Sequence, residues 1–208
     1  MKQQLFNLRN ILVSPYHKIK DRGTFNYNGS SLPYFIHWYN HTWDNSRRIE
    51  IPIFKQKFKE YIGMNILEVG NVMDHYGIVY HHDVLDKYEK KSEVINEDVL
   101  IFKPRWKYDV VLSCSTLEHV GFDKPEKSNP DALLLALENL QENVVKKGGV
   151  IFFSVPLGYN PDLDKLLLDD CIHLDNEIFY RDDGEDWVPC DRMVALLSGG
   201  LLFGRVDC

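Results

Sequence analysis

Apolar residues fall into two regimes along this chain. From residue 64 onward they come in short runs rich in β-branched and aromatic residues: MNILEVG, HHDVLD, VINEDVLIF, YDVVLSCS and GGVIFFSVPLG. Short, nearly continuous apolar runs suit strands buried on both faces. Polar or helix-spaced segments separate them. The clearest is DALLLALENLQENVVKKGG, with leucines at helical spacing, lysines near its end and Gly148 as the expected terminator. The alternation predicts an α/β fold: a Rossmann-like, doubly wound, mainly parallel sheet with helices on both faces. PDLDKLLLDD reads as a further helix. NEIFYRDDGEDWVP and GLLFGRV read as a late antiparallel strand or hairpin.

Before residue 64 the texture is different. Residues 1–43 read as irregular, punctuated by Gly, Ser, Asn and Pro. Tyr34, Phe35, Trp38, Tyr39 and Trp43 are too apolar for a disordered tail. Phe54, Phe58, Tyr61 and Ile62 then follow at helical spacing, with Gly63 as a stop and Pro52 as a start or a kink. The expected organisation is an aromatic-rich extension and helix over 1–63 and a Rossmann-like domain over 64–208. The extension packs on the core or closes over it as a lid.

Composition narrows the classes. A chain of 208 residues, 44% hydrophobic and 26% charged, suits one soluble globular domain with an extension. A net charge of −7 without a basic stripe argues against nucleic-acid and anionic-membrane partners. The four cysteines form no C-x-x-C pair, as expected in a reducing compartment. The first residues lack the apolar region of a signal peptide, and no run approaches a membrane span. A soluble, cytoplasmic protein is expected.

In open α/β sheets, ligands bind beyond the carboxyl ends of the strands, near the point where strand order reverses. The first run ends in Glu68-Val69-Gly70-Asn71. Glycine permits a tight turn and a close backbone approach, and Asn71 tolerates left-handed geometry well enough to stand in for a second glycine. A plain strand and turn would read the same way. The link to the next strand, near His82, is short, with room for a helix of barely two turns over 72–76 ended by Gly77. Asp86 closes the second run, placed to accept from ribose hydroxyls or to cap a helix. Asp98, in NED, could meet the exocyclic amine of an adenine or shape a turn.

The fourth run leads into Ser115-Thr116-Leu117-Glu118, which has the S-x-x-E form of a capping box. His119 follows at the mouth of the expected cleft. Histidine is the side chain most easily poised for proton transfer near neutral pH. Beyond the fifth run, Tyr159 could reach a substrate or simply pack. His81, His82 and Asp83 resemble a metal cluster, but adjacent strand residues face opposite ways, so no metal site is expected. Neither a P-loop nor a G-x-S-x-G elbow is present.

Taken in order, ILEVGN, VLDKYE, NED, YDVVLSCSTLEHV and KKGGVIFFSVP resemble motifs of the class I S-adenosylmethionine-dependent methyltransferases, over residues 64–160. Together with NHTWDNSRRIEIPI, several of these segments are also similar to a poorly characterised small branch of that superfamily. The resemblance implies S-adenosyl-L-methionine as cofactor. It implies methyl transfer to a small-molecule acceptor, a sugar or another metabolite. It points to Glu68, Gly70, Asn71, Asp86, Asp98 and Ser115 as cofactor-binding residues. His119 would be the catalytic base, with Glu118 second. The family's usual loop is E-x-G-x-G-x-G, and here Glu68 and Gly70 alone remain. The alternative is therefore a non-catalytic Rossmann-like binding or assembly module with a degenerate loop. A dinucleotide enzyme is disfavoured because G-x-G-x-x-G is absent.

Overall fold

The computed structural model describes residues 2–20, 23–122, 129–184 and 186–208, with side chains from residue 9 onward. It begins with a helix, α1 (Lys2–Lys20), where the sequence suggested irregular chain. The reason lies in which face is covered. Asn10 and Ser14, one turn apart, are buried, while Leu12, Tyr16 and Ile19 are exposed. Asn10 Nδ2 lies 2.6 Å from His41 Nε2, and the His17 ring stacks on Trp43 at 4.3 Å. A helix whose covered face is polar leaves no amphipathic signature of the usual kind.

Two short strands follow, β1 (Thr24–Tyr27) and β2 (Ser30–Pro33), paired as an antiparallel hairpin. Asn28 and Gly29 form its tip with φ of 48° and 75°, the positive pair that a two-residue hairpin turn needs. The next helix, α2 (Arg47–Glu60), carries Pro52 inside it. Pro52 has no N–H to give to the Arg48 carbonyl one turn back. The Phe35 N–H donates to that oxygen instead, at 2.9 Å. The helix therefore continues through the proline, and the hairpin segment is tied to it at that point.

The main sheet begins with β3 (Ile66–Val69). A one-turn helix α3 (Val72–His75) leads to β4 (Asp83–Leu85) and β5 (Val94–Ile95). Then come β6 (Tyr108–Cys114), α4 (Ala132–Asn139), β7 (Val145–Pro156), α5 (Pro161–Leu168), β8 (Asn176–Asp182), β9 (Trp187–Cys190), α6 (Arg192–Ser198) and β10 (Leu201–Asp207). The strand order is β5-β4-β3-β6-β7-β10-β8-β9. The five strands from β5 to β7 are parallel, and β10 enters antiparallel between β7 and β8. This is the doubly wound, mainly parallel sheet the apolar runs predict, with its late antiparallel element. Strand order reverses between β3 and β6.

Alternating side chains fill two cores. Leu67, Val69, Val111, Ile151, Phe153, Val155 and Leu202 face α4, α5 and α6. Ile66, Val110, Leu112, Phe152, Leu201 and Phe203 face the other way, where Phe25, Tyr27, Tyr34, Ile49, Ile53, Phe54 and Phe58 cover them. Each such side chain, fully buried, contributes about 1.5–3 kcal/mol. Residues 24–61 thus supply one whole layer over the sheet.

Two boundaries differ from the sequence reading. The helix expected to run to Gly148 ends at Val144, after a π-helical turn over Leu140–Val144. Val145, fully buried, already pairs with Tyr108, and the register shifts before Val110 meets Val150. Gly148, at φ 82°, serves that irregular strand entry. The VINEDVLIF run yields only a two-residue strand. Beyond it the Asp98 carbonyl accepts from Ile101 N and Phe102 N, which turns the chain back. Among the described residues, no helix is long and apolar enough to cross a membrane.

Candidate functional site

A cleft of about 680 Å³ opens at the carboxyl ends of β3, β4 and β6, at the strand-order reversal. Gly70, Asn71, Asp86, Asp98 and His119, all singled out from the sequence, line it. Glu68, Ser115 and Glu118 do not, and each has a definite place elsewhere.

The floor is the turn after β3. Gly70 sits at φ 86°, a left-handed conformation that favours glycine. A Cβ placed on it would lie 2.1 Å from Thr116 Oγ1. Two demands therefore fall on one residue. The turn is fastened by Gly70 N donating to Leu85 O at 2.8 Å and Asn71 N donating to Asp86 Oδ2 at 3.3 Å. Asn71 itself has φ −80°, so it does not supply the left-handed geometry expected of it. Gly70 carries that alone.

Glu68 lies beneath the turn, 1% exposed. Its Oε1 accepts from Val72 N and Met73 N, both at 2.9 Å, and its Oε2 meets His82 Nε2 at 2.8 Å. The carboxylate thus holds the start of α3 and does not face the cleft. The helix itself matches the short crossover expected, down to Gly77 at φ 65° just beyond its end.

Asp86 forms the wall at the tip of β4. Its Oδ1 accepts from Tyr88 N at 2.8 Å and Glu89 N at 2.9 Å. No helix follows, so these bonds close a turn and do not cap a helix, and the side chain lines the cleft. Asp98 Oδ1 accepts from Leu100 N, and its Oδ2 pairs with Lys87 Nζ at 2.5 Å. That hydrogen bond holds the lysine ammonium above its usual range. Asp98 is both a turn former and a cleft residue.

The opposite wall follows β6. The S-x-x-E capping box does not form. The short 3-10 turn Leu117–His119 starts from Thr116, with no side-chain cap. Ser115 is buried at φ 40° and its hydroxyl donates to Glu50 Oε1. Glu118 is buried behind His119, with Oε1 3.6 Å from His119 Nε2. Asn160, which caps α5, donates from Nδ2 to the Glu118 carbonyl at 2.8 Å. His119 is exposed to the cleft. Its Nδ1 lies 3.3 Å from the Tyr159 hydroxyl, and the Tyr159 ring meets both His119 and Phe122 edge-on. His119 is thus the exposed imidazole of this wall, with Glu118 behind it and Tyr159 beside it. Among the described residues, no group of His, Cys, Asp and Glu could hold a metal ion, and His82 turns inward to Glu68.

One group under this wall escaped the sequence reading. Glu50 on α2 is fully buried beneath the tips of β6 and β7. Its Oε1 accepts from Ser115 Oγ and from Ser154 Oγ, and its Oε2 from Ser46 Oγ at 2.9 Å and Arg47 Nη1 at 3.2 Å. Arg47 also donates to Cys114 O at 3.2 Å and approaches Cys114 Sγ at 2.8 Å. Burial opposes the guanidinium charge, and the Glu50 carboxylate beside it holds that charge in place. Burial likewise pushes the Cys114 thiol up, so it stays protonated. The signal was an acid in a wholly apolar stretch, IEIPIF. Such an acid must be paired.

No protein-family model and no curated protein matches the chain. Solved structures do. The N-methyltransferase NodS from Bradyrhizobium japonicum WM9 aligns over 77% of this chain and 94% of its own, at 12% identity and a TM-score of 0.47. The 1,6-didemethyltoxoflavin-N1-methyltransferase of Burkholderia thailandensis, with bound 1,6-didemethyltoxoflavin and S-adenosylhomocysteine, aligns over 99% and 89%, at 14% identity and 0.48. An rRNA methylase from Streptococcus thermophilus aligns over 76% and 96%, at 13% identity and 0.46. These are likenesses of chain path at low identity.

Proposed function

We propose that the protein is an S-adenosylmethionine-dependent methyltransferase acting on a small molecule. The observation that carries the reading is the cleft itself. It opens at the strand-order reversal, over a turn where only glycine fits, with Asp86 at the neighbouring strand tip and His119 across from it. The bare Cα of Gly70 and the carboxylate of Asp86 suit a nucleoside-bearing cofactor.

When bound, the cofactor supplies a methyl group activated on a sulfonium. Asp86 would accept from its ribose hydroxyls. Gly70 and Asn71 would give close backbone approach. Asp98, beside Val99 and Leu100, would meet the adenine end. His119 would take the proton an acceptor hydroxyl or amine gives up. Glu118 is a positioning residue behind it. Val120, Gly121, Phe122 and Asn129 form a neutral wall next to His119, which suits an uncharged, compact acceptor. Orientation of the two partners supplies most of the rate enhancement in such a transfer.

The test is a pair of substitutions. Asp86→Ala should weaken S-adenosylhomocysteine binding by at least about tenfold in calorimetry, since a charged hydrogen-bond acceptor contributes about 1.5–3 kcal/mol. A variant that binds as tightly as the parent would count against the assignment. With an acceptor found by screening, His119→Gln should lower kcat by about 10²–10⁴ and leave cofactor affinity unchanged. An unchanged kcat would remove His119 as the base.

A further inference from the structure

We infer that His82 is a positioning residue for the Gly70 turn, held as a doubly protonated imidazolium that is the counter-ion of Glu68. The inference rests on reading that turn as a cofactor loop, and it adds a residue and a proton requirement to it. Geometry dictates the proton count. His82 Nε2 faces Glu68 Oε2 at 2.8 Å, and Nδ1 faces the backbone carbonyl of Tyr80 at 3.1 Å. A carboxylate and a carbonyl only accept. Both bonds form only when both ring nitrogens carry a proton.

The surroundings make the pair consequential. The His82 side chain is 7% exposed and that of Glu68 1%. A buried carboxylate stays charged only if it is paired and hydrogen-bonded. Val72 N and Met73 N occupy Oε1, and His82 is the cation at Oε2. From α2 the facing group is the Phe58 ring, 4.7 Å from the imidazole, which does not titrate. Phe58 also stacks on Tyr80 at 4.4 Å. Burial pushes the Tyr80 phenol up, so it stays neutral. Glu68 and His82 thus form the paired groups here.

A mechanical consequence follows. Where a glycine-rich loop would wrap its ligand with several backbone amides, this turn has one glycine. Its geometry depends on the Glu68 carboxylate gripping the first amides of α3. Loss of one ring proton breaks a bond to His82 and leaves a buried carboxylate without its cation. The grip on Val72 and Met73 then loosens. The turn is therefore tightest with the ring doubly protonated.

Nitrogen NMR of the full chain, labelled at histidine, reads the proton count directly. At about pH 6 both His82 nitrogens should be protonated. Amide exchange at Val72 and Met73 should be roughly tenfold faster in His82→Gln than in the parent at that pH. A singly protonated ring, or amide exchange at Val72 and Met73 unchanged in His82→Gln, overturns the proposal. The spectrum is taken on the parent, so it decides even if His82→Gln fails to fold. Calorimetry with S-adenosylhomocysteine on the same parent sample separates the two claims. Absent binding with a doubly protonated His82 would sink the cofactor reading alone. Binding with a singly protonated His82 would sink the positioning role alone.

Discussion

Gly70→Ala is expected to destabilise the protein by about 2–4 kcal/mol and to abolish ligand binding in the cleft. Two costs combine. An L-residue at φ 86° pays about 1–2 kcal/mol for left-handed geometry. The added methyl would lie 2.1 Å from Thr116 Oγ1 and 2.7 Å from its Cγ2, so the tips of β3 and β6 must separate. Urea denaturation measures the first effect and calorimetry the second. The double variant Gly70→Ala with Thr116→Gly should recover the steric part and leave the backbone part. A single alanine variant within about 0.5 kcal/mol of the parent would mean the turn is not as tight as described.

Glu50→Ala should cost about 3–5 kcal/mol, the range for removing one partner of a buried ion pair. It strips the acceptor from Ser115, Ser154, Ser46 and Arg47 together and leaves the guanidinium without its carboxylate. Ser115, at φ 40°, loses what holds it in a strained conformation. Since Thr116 follows and packs on Gly70, ligand affinity should fall with stability. Glu50→Gln keeps the volume and one acceptor oxygen, so its loss should be smaller. Equal losses for the two variants would show that shape, not charge, matters here. A loss under about 1 kcal/mol for Glu50→Ala would contradict the network's role.

Periodicity made the sheet legible. β3, β6 and the later part of β7 are buried on both faces, so their runs are mostly apolar. Elements without that signature were obscured. α1 buries Asn10 and Ser14 and exposes Leu12, so hydropathy points away from its covered face. The β1–β2 hairpin was announced by Asn28-Gly29, a turn signal lost among other asparagines and glycines. Within the cleft, Gly70, Asp86 and His119 were legible because strand ends face ligands in this architecture. Ser115 and Glu118 were legible as polar residues, but not their direction. A capping box and a buried bond to Glu50 need the same hydroxyl, and only the distant contact from α2 decides between them. His82 was set aside as a metal ligand on strand geometry, but it lies just before β4, and its ring turns to Glu68 and the Tyr80 carbonyl through contacts the sequence does not show.

The cleft over Gly70 is proposed to take S-adenosylmethionine. Parallel calorimetric titrations of the parent protein with S-adenosylmethionine, S-adenosylhomocysteine and NAD test it most directly. Micromolar binding of the first two at one site per chain, and none of NAD, is expected. Absence of binding by both sulfur ligands would contradict it and leave a non-catalytic binding module as the better description; preferential binding of NAD would contradict it in favour of a dinucleotide site.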